Sequence, residues 1–372
     1  MKIVTITGAR PQFIKAAMIS RAIKAHNSKD GNHAIKEYIL HTGQHYDKNM
    51  SDIFLDETGL GKPDRQLHCG GLASRTKMLA EMLTGIEKAL LEYRPDGVLV
   101  YGDTTSTLAG ALAASQLHIP LLHVEAGLRS FNKQMPEETN RILTDHIASL
   151  LFCPTYQSIG NLAKEGITKG IFYTGDVMYD AALVFAGIAE RKSNILSALG
   201  IQPKKFRLCT IHRAENTDNP HRLTQIILAL MEIATPDCPV IFPLHPRTKV
   251  YIDNYHLGAT IASNDALRVI DPVSYPDMIM LEKNADTVLT DSGGVQKEAY
   301  FHRTPCITLR DETEWIETVH AGWNRIAGFN TEKIIECLAE RPQRTEIKEY
   351  GDGHAAEKII NAIVKSFEAG LC

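Results

Sequence analysis

Residues 287–301 read TVLTDSGGVQKEAYF, and the reading of this stretch decides the fold. A short β-branched run stops at Asp291-Ser292-Gly293-Gly294, and a segment free of glycine and proline follows it. This is the pattern of a buried strand turning into a helix. Glycines and a serine at a helix start leave backbone N–H groups open to an anion, which the helix dipole favours. Glu298, one turn further on, is placed to accept from hydroxyl groups.

The same alternation extends in both directions. KIVTIT, EYILHT, GVLVYGD, PLLHVEAG, LFCPT, GIFYTGD, FRLCTIH, PVIFPLH, LRVIDP and PCITLRD are further β-rich runs. Between them lie segments of helical periodicity such as QFIKAAMISRAIKAH and HRLTQIILALMEIA. The runs are nearly continuous in apolar residues, as strands covered on both faces are. Strand–helix alternation predicts parallel sheets with right-handed crossovers. About six runs fall before residue 180 and about five after it, so two doubly wound Rossmann-like α/β domains fit better than one sheet. A chain of 372 residues has room for about two domains. The expected division is 1–180 and 181–354, with a C-terminal helix at about 355–372 packing back on the first domain.

Composition narrows the function. A net charge of −4 gives no global attraction to nucleic acid. No apolar run approaches the ~20 residues that cross a bilayer, and MKIVTITGARPQF lacks the apolar core of a signal peptide. The expected location is the cytoplasm, with no membrane partner. Seven cysteines, scattered and without CxxC spacing, read as buried thiols. There is no HExxH, no Walker pattern and no GxGxxG, so nothing calls for a metal or another cofactor.

In doubly wound sheets, ligands sit outside the carboxyl ends of the strands, and polar residues gather there. TGARPQFIK puts Arg10 and Lys15 around a strand-to-helix turn, a fork and a point charge for phosphate. Asp103 ends one run, where a helix N-cap is the plain alternative. Glu125 ends the next, with Arg129 four residues on as a simple pairing partner. Glu137 and Glu138 fall in the first turn of a helix. TIHRAEN and PLHPRT end strands with His212-Arg213 and with His245. Because these residues come from both halves, the expectation is a site in the cleft between the domains. Cations and amides for a diphosphate, with carboxylates beside them, suit a sugar-nucleotide enzyme.

GARPQFIKAA, HTGQHYD, YGDTTST, HVEAGLRS, MPEETNR, IHRAEN, HPRT and DSGGVQKEA together resemble the non-hydrolysing UDP-N-acetylglucosamine 2-epimerases, from residue 3 to about residue 328. The resemblance implies a GT-B-type fold with an interdomain site and a UDP-sugar substrate. It also implies a homodimer and a part in bacterial surface polysaccharide synthesis. It assigns Asp103, Glu125, Glu137 and His212 to catalysis. Arg10, Lys15, Arg213, His245, Ser292, Gly293 and Gly294 go to UDP, Glu298 to the ribose and Tyr275 to uracil. Gln44 and His45 remain of an allosteric stretch in which Asp47 replaces a glutamine. GARPQF, LRDETEWIETVHAGWN and RSFNKQMPEE resemble the branch acting on UDP-2,3-diacetamido-2,3-dideoxyglucuronate. A glycosyltransferase, a hydrolysing 2-epimerase and a UDP-sugar sensor are the competing readings.

Overall fold

The computed structural model describes residues 1–29, 33–44, 60–71 and 74–370, with Arg10 described by its backbone alone. The strands are β1 (Lys2–Thr7), β2 (Lys36–His41), β3 (Arg65–Gln66), β4 (Gly97–Tyr101), β5 (Leu121–Val124), β6 (Leu150–Cys153) and β7 (Ile171–Tyr173), followed by β8 (Arg207–Thr210), β9 (Val240–Pro243), β10 (Leu267–Ile270), β11 (Thr287–Thr290), β12 (Cys306–Thr308) and β13 (Asn324–Ile326). Among the described residues they form two parallel sheets, ordered β3-β2-β1-β4-β5-β6-β7 and β10-β9-β8-β11-β12-β13. Each reverses direction beside its first strand, the topology of a doubly wound nucleotide-binding sheet. Every run read as a strand is one. The two strands without a sequence signal, β3 and β13, are short edge strands too small to show a period.

The chain forms two compact units, Met1–Ala181 with Lys348–Cys372, and Ala182–Ile347. In the first, the helix Thr105–Gln116 packs small residues onto the sheet. A Cβ on Gly110 would come 2.8 Å from Ile6 and 3.0 Å from Val100, so the Ala- and Gly-rich sequence sets how near this helix lies. The helix Ala355–Glu368 returns to the first unit beside the helix Arg10–Lys29. Its first backbone amides, on Ala355 and Ala356, donate to the Asp180 carboxylate at 3.0 and 2.8 Å.

The second unit buries a separate core on each face of its sheet. Leu223, Ile226, Ile227 and Leu230 belong to one, and Phe206, Leu208, Leu281 and Val288 to the other. The six cysteines among the described residues are all free. No helix among them is long and apolar enough to cross a membrane, and no group of three His, Cys, Asp or Glu among them is arranged to hold a metal ion.

Candidate active site

In the second unit the strand order turns between β8 and β11, so the loops after them flank the binding position of this fold. These loops carry His212-Arg213 and Asp291-Ser292-Gly293-Gly294. Asp291 is fully buried. Its carboxylate accepts from the backbone N–H of His212 at 3.1 Å, that of Arg213 at 3.0 Å, and Asn216 Nδ2 at 3.2 Å. It therefore fixes the loop that presents His212. A carboxylate inside the quoted turn was visible in the sequence, but its partners, some eighty positions away, were not.

Ser292 stands at the N-cap of the helix Gly293–Phe301, yet its hydroxyl makes no capping hydrogen bond. The two glycines serve different ends. A Cβ on Gly293 would lie 2.4 Å from Glu314 Oε1, whereas one on Gly294 would meet nothing nearer than Ser292 Oγ at 3.8 Å. Gly293 thus leaves room for the Glu314 carboxylate, and Gly294 keeps the helix start uncovered. Arg310 is buried and holds Glu314 at 3.0 Å, with Glu215 at 3.6 Å. Its Nη2 has no hydrogen-bond partner. In the sequence, Arg310 with Asp311 and Glu312 ends the run PCITLRD, one of the strand ends where polar residues gather, but the sequence assigns it no role.

The rings of His212 and His245 lie 5.4 Å apart, centroid to centroid. Burial pushes the His212 pKa below the usual histidine value; Asp291 opposes this, and Arg213 and Arg247 add to it. The lowered pKa favours the neutral ring, and at 36% exposure the ring is still open to a ligand. His245 also has the plain structural part of an N-cap, its Nδ1 accepting from the Arg247 N–H at 3.1 Å. Glu298 and Tyr275 are both buried, and the Tyr275 hydroxyl donates to Glu298 Oε1 at 3.3 Å. The Tyr275 ring meets Phe185 edge-on at 5.5 Å. It supports the carboxylate and does not present an open stacking face.

In the first unit the order turns between β1 and β4. Lys15, read as a phosphate cation, forms a salt bridge with Glu125, their side chains 8% and 10% exposed. Glu125 has φ of 70°, a left-handed value that residues with a side chain seldom adopt. Arg129 is not its partner. Arg129 binds Asp145 at 2.7 Å and Glu165 through two bonds of 2.7 Å, because the turn at Gly127 carries it to the far side of the loop.

Asp103 is not a helix cap either. Thr104 caps the helix Thr105–Gln116, and Asp103 Oδ2 accepts from Arg141 Nη2 at 2.6 Å. Arg141 also donates to Glu138 at 3.0 Å. Glu138 in turn accepts from the backbone N–H of Ser130 at 2.8 Å and of Phe131 at 2.9 Å. Of the two glutamates opening the helix Pro136–Ile147, Glu138 is thus committed to the fold. Glu137 makes no ion pair with the described residues. Gln44 accepts from Ser106 N at 3.1 Å and Ser106 Oγ at 2.7 Å, beside Asp103. His45 and Asp47, and the side chain of Arg10, lie outside the described residues.

Two doubly wound units, one with an amide-lined helix start among cationic side chains and the other with strand-end carboxylates, define a GT-B-like sugar-nucleotide enzyme. A family model described as UDP-N-acetylglucosamine 2-epimerase matches residues 27–364. The chain belongs to that family, whose members are isomerases. It is 50% identical over 366 residues to a "UDP-N-acetylglucosamine 2-epimerase homolog" of Methanococcus maripaludis, covering 98% of this chain and 99% of the relative. It is 48% identical over 371 residues to the UDP-2,3-diacetamido-2,3-dideoxy-D-glucuronate 2-epimerase of Pseudomonas aeruginosa, covering 98% and 100%. The crystal structure of the Methanocaldococcus jannaschii UDP-GlcNAc 2-epimerase in complex with UDP-GlcNAc and UDP is similar at a TM-score of 0.89 and 43% identity, covering 98% and 100%.

Proposed function

We propose that the protein inverts C2 of a UDP-2-acetamido sugar by eliminating and re-adding UDP. The observation that carries this reading is the division of chemistry between the units. One offers the Gly293 and Gly294 amides, the Ser292 hydroxyl, His212 and Arg213 to a diphosphate, the Ser292 amide being held by Thr290 Oγ1 at 2.9 Å. The other holds Asp103, Glu125 and Glu137 at strand ends and a helix start.

C2 of such a sugar has no adjacent carbonyl to stabilise a carbanion. A carboxylate takes the C2 proton while the C1–O bond breaks, and the electron pair becomes the C1=C2 bond of a 2-acetamidoglucal. UDP leaves with the other pair. Donors at the helix start and His212 stabilise the departing diphosphate and retain it. For the return, a diphosphate oxygen attacks C1 and a second carboxylic acid protonates C2 from the opposite face. No oxidant is needed. Glu298 receives the ribose hydroxyls, with Tyr275 holding it. The finer assignment is the 2,3-diacetamido-glucuronate sugar, supported by the full-length similarity to the Pseudomonas aeruginosa enzyme.

Incubation in D₂O with UDP-N-acetylglucosamine or the diacetamido-glucuronate sugar, followed by proton NMR, tests both points. The expected product is the manno UDP-sugar with deuterium at C2, formed faster from the diacetamido uronate. Free sugar and UDP in equal amounts would identify a hydrolysing enzyme instead. UDP release only when an acceptor is added would identify a transferase.

A further inference from the structure

Asp103 follows a turn in which three consecutive backbone carbonyls are each held by a side chain from a different element. Gln12, on the helix Arg10–Lys29, donates from Nε2 to Tyr101 O at 3.0 Å, and Thr107 Oγ1 donates to the same oxygen at 2.6 Å. His123, on β5, meets Gly102 O through Nε2 at 2.8 Å. Because a carbonyl can only accept, that nitrogen carries the hydrogen. Asn140, on the helix Pro136–Ile147, donates from Nδ2 to Asp103 O at 2.8 Å. Gln12, His123 and Asn140 are 2%, 0% and 9% exposed.

Each holder is itself fixed. Gln12 Oε1 accepts from Gly8 N at 2.8 Å and Ala9 N at 3.0 Å, and Nε2 also donates to Thr107 Oγ1 at 2.9 Å. One side chain therefore ties the β1 turn to the β4 turn, across the point where the strand order reverses. His123 Nδ1 is 2.7 Å from Asp145 Oδ1, and Asp145 Oδ2 accepts from Gly127 N at 3.1 Å and from Arg129 at 2.7 Å. Asn140 shares its helix with Arg141, which binds the Asp103 carboxylate.

A turn needs none of this to exist. Buried carbonyls need a partner, but main-chain amides or water commonly supply it. Three buried side chains converging on three successive carbonyls define the path of the turn and hence the position of the next side chain. We propose that Gln12, His123 and Asn140 are positioning residues that set where the Asp103 carboxylate stands. This rests on the reading of Asp103 as a proton-transfer group. A proton-transfer group displaced by about 1 Å loses on the order of 10²-fold in rate, so the arrangement has a measurable consequence.

The test is a set of double-mutant cycles on the full chain. Gln12→Glu keeps the shape of the side chain and removes both donations; Asn140→Ser shortens the reach to Asp103 O; His123→Gln keeps one donor. Each single change is expected to lower kcat by about 10–100-fold while KM and UDP affinity by calorimetry stay within about twofold. Combined with Asp103→Asn, each is expected to cost little beyond Asp103→Asn alone, because both act on one group. His123 is central to a buried network, so Asn140→Ser, at the rim, carries the test if His123→Gln does not fold. Unchanged kcat in folded Gln12→Glu and Asn140→Ser, or losses that multiply with that of Asp103→Asn, would overturn the proposal. Near-normal turnover of Asp103→Asn would remove the role of Asp103 itself, and the positioning proposal with it.

Discussion

The two sheets turn at equivalent places and furnish them in opposite ways. At the β8/β11 turn the chain offers main-chain amides, two nearby imidazoles and Arg213, with Asp291 buried behind them as a brace. At the β1/β4 turn the carbonyls are taken: those of residues 101, 102 and 103 are each engaged, and the carboxylates there, Asp103 and Glu125, pair with Arg141 and Lys15. The comparison separates what topology does from what side chains do. Strand order creates a place where two loops diverge. In the proposed function, the place with open amides takes the anion and the place with a tied-down backbone moves the proton.

The largest effect that would break this contrast is catalytic. Asp103→Asn, Glu125→Gln and Glu137→Gln are each expected to reduce turnover by about 10²–10⁴-fold, with UDP affinity largely preserved because the proposed function places most diphosphate contacts (His212, Arg213 and the start of the helix Gly293–Phe301) in the other unit. Steady-state kinetics with calorimetry on the same preparations checks this. Loss of UDP binding in all three would mean that the first unit holds the nucleotide.

Next in size is stability. Burial works against the charge on Asp145, but His123 and Arg129 together hold its pKa below the usual aspartate value. The stabilisation is therefore present above the ordinary value of 3.8 and is lost as pH falls through the lower folded value. Asp145→Asn leaves Arg129 and His123 short of a buried partner. It is expected to cost about 3–5 kcal/mol and to lower the melting temperature of the first unit by about 6–20 °C. Calorimetry from pH 7 down to 3 should show this penalty shrinking at the acid end. A constant penalty would place the stabilisation elsewhere.

A smaller change sharpens the anion side. Ser292→Ala removes one neutral donor, worth about 0.5–1.5 kcal/mol, so UDP affinity should fall roughly 3–10-fold with kcat/KM falling in step. An unchanged dissociation constant in a folded Ser292→Ala variant would take the hydroxyl off the diphosphate.

The smallest signal is a proton. His212 is held below its usual pKa by burial, and an incoming diphosphate favours its charged form. UDP-sugar binding near pH 6 should therefore take up a fraction of a proton, seen by calorimetry in buffers of different ionisation enthalpy. It should also tighten as pH falls from 7 to 6. His212→Asn should abolish both effects, and uptake that survives the substitution would assign the proton to another group.

Much of this was legible in the chain. TVLTDSGG and ten comparable runs carried their strand character locally, since a strand covered on both faces must be apolar throughout. The strand-end positions of Asp103, Glu125, His212 and Ser292 followed directly. Partners did not. Arg129 stands four residues from Glu125 yet pairs with Asp145 and Glu165, and Lys15 reaches Glu125 across 110 positions. Asp103 looked like a cap, but Thr104 next to it took that part. Sequence by itself determined the alternation, the chemistry available at each strand end and the family. Only the tertiary structure decided which donor each carboxylate meets: Asp291, Asp145 and Glu138 brace loops, while Asp103 and Glu125 pair with Arg141 and Lys15. A carboxylate's role depends on which donors the folded chain brings within about 3 Å of it, and those donors come from elements that sequence order keeps far apart.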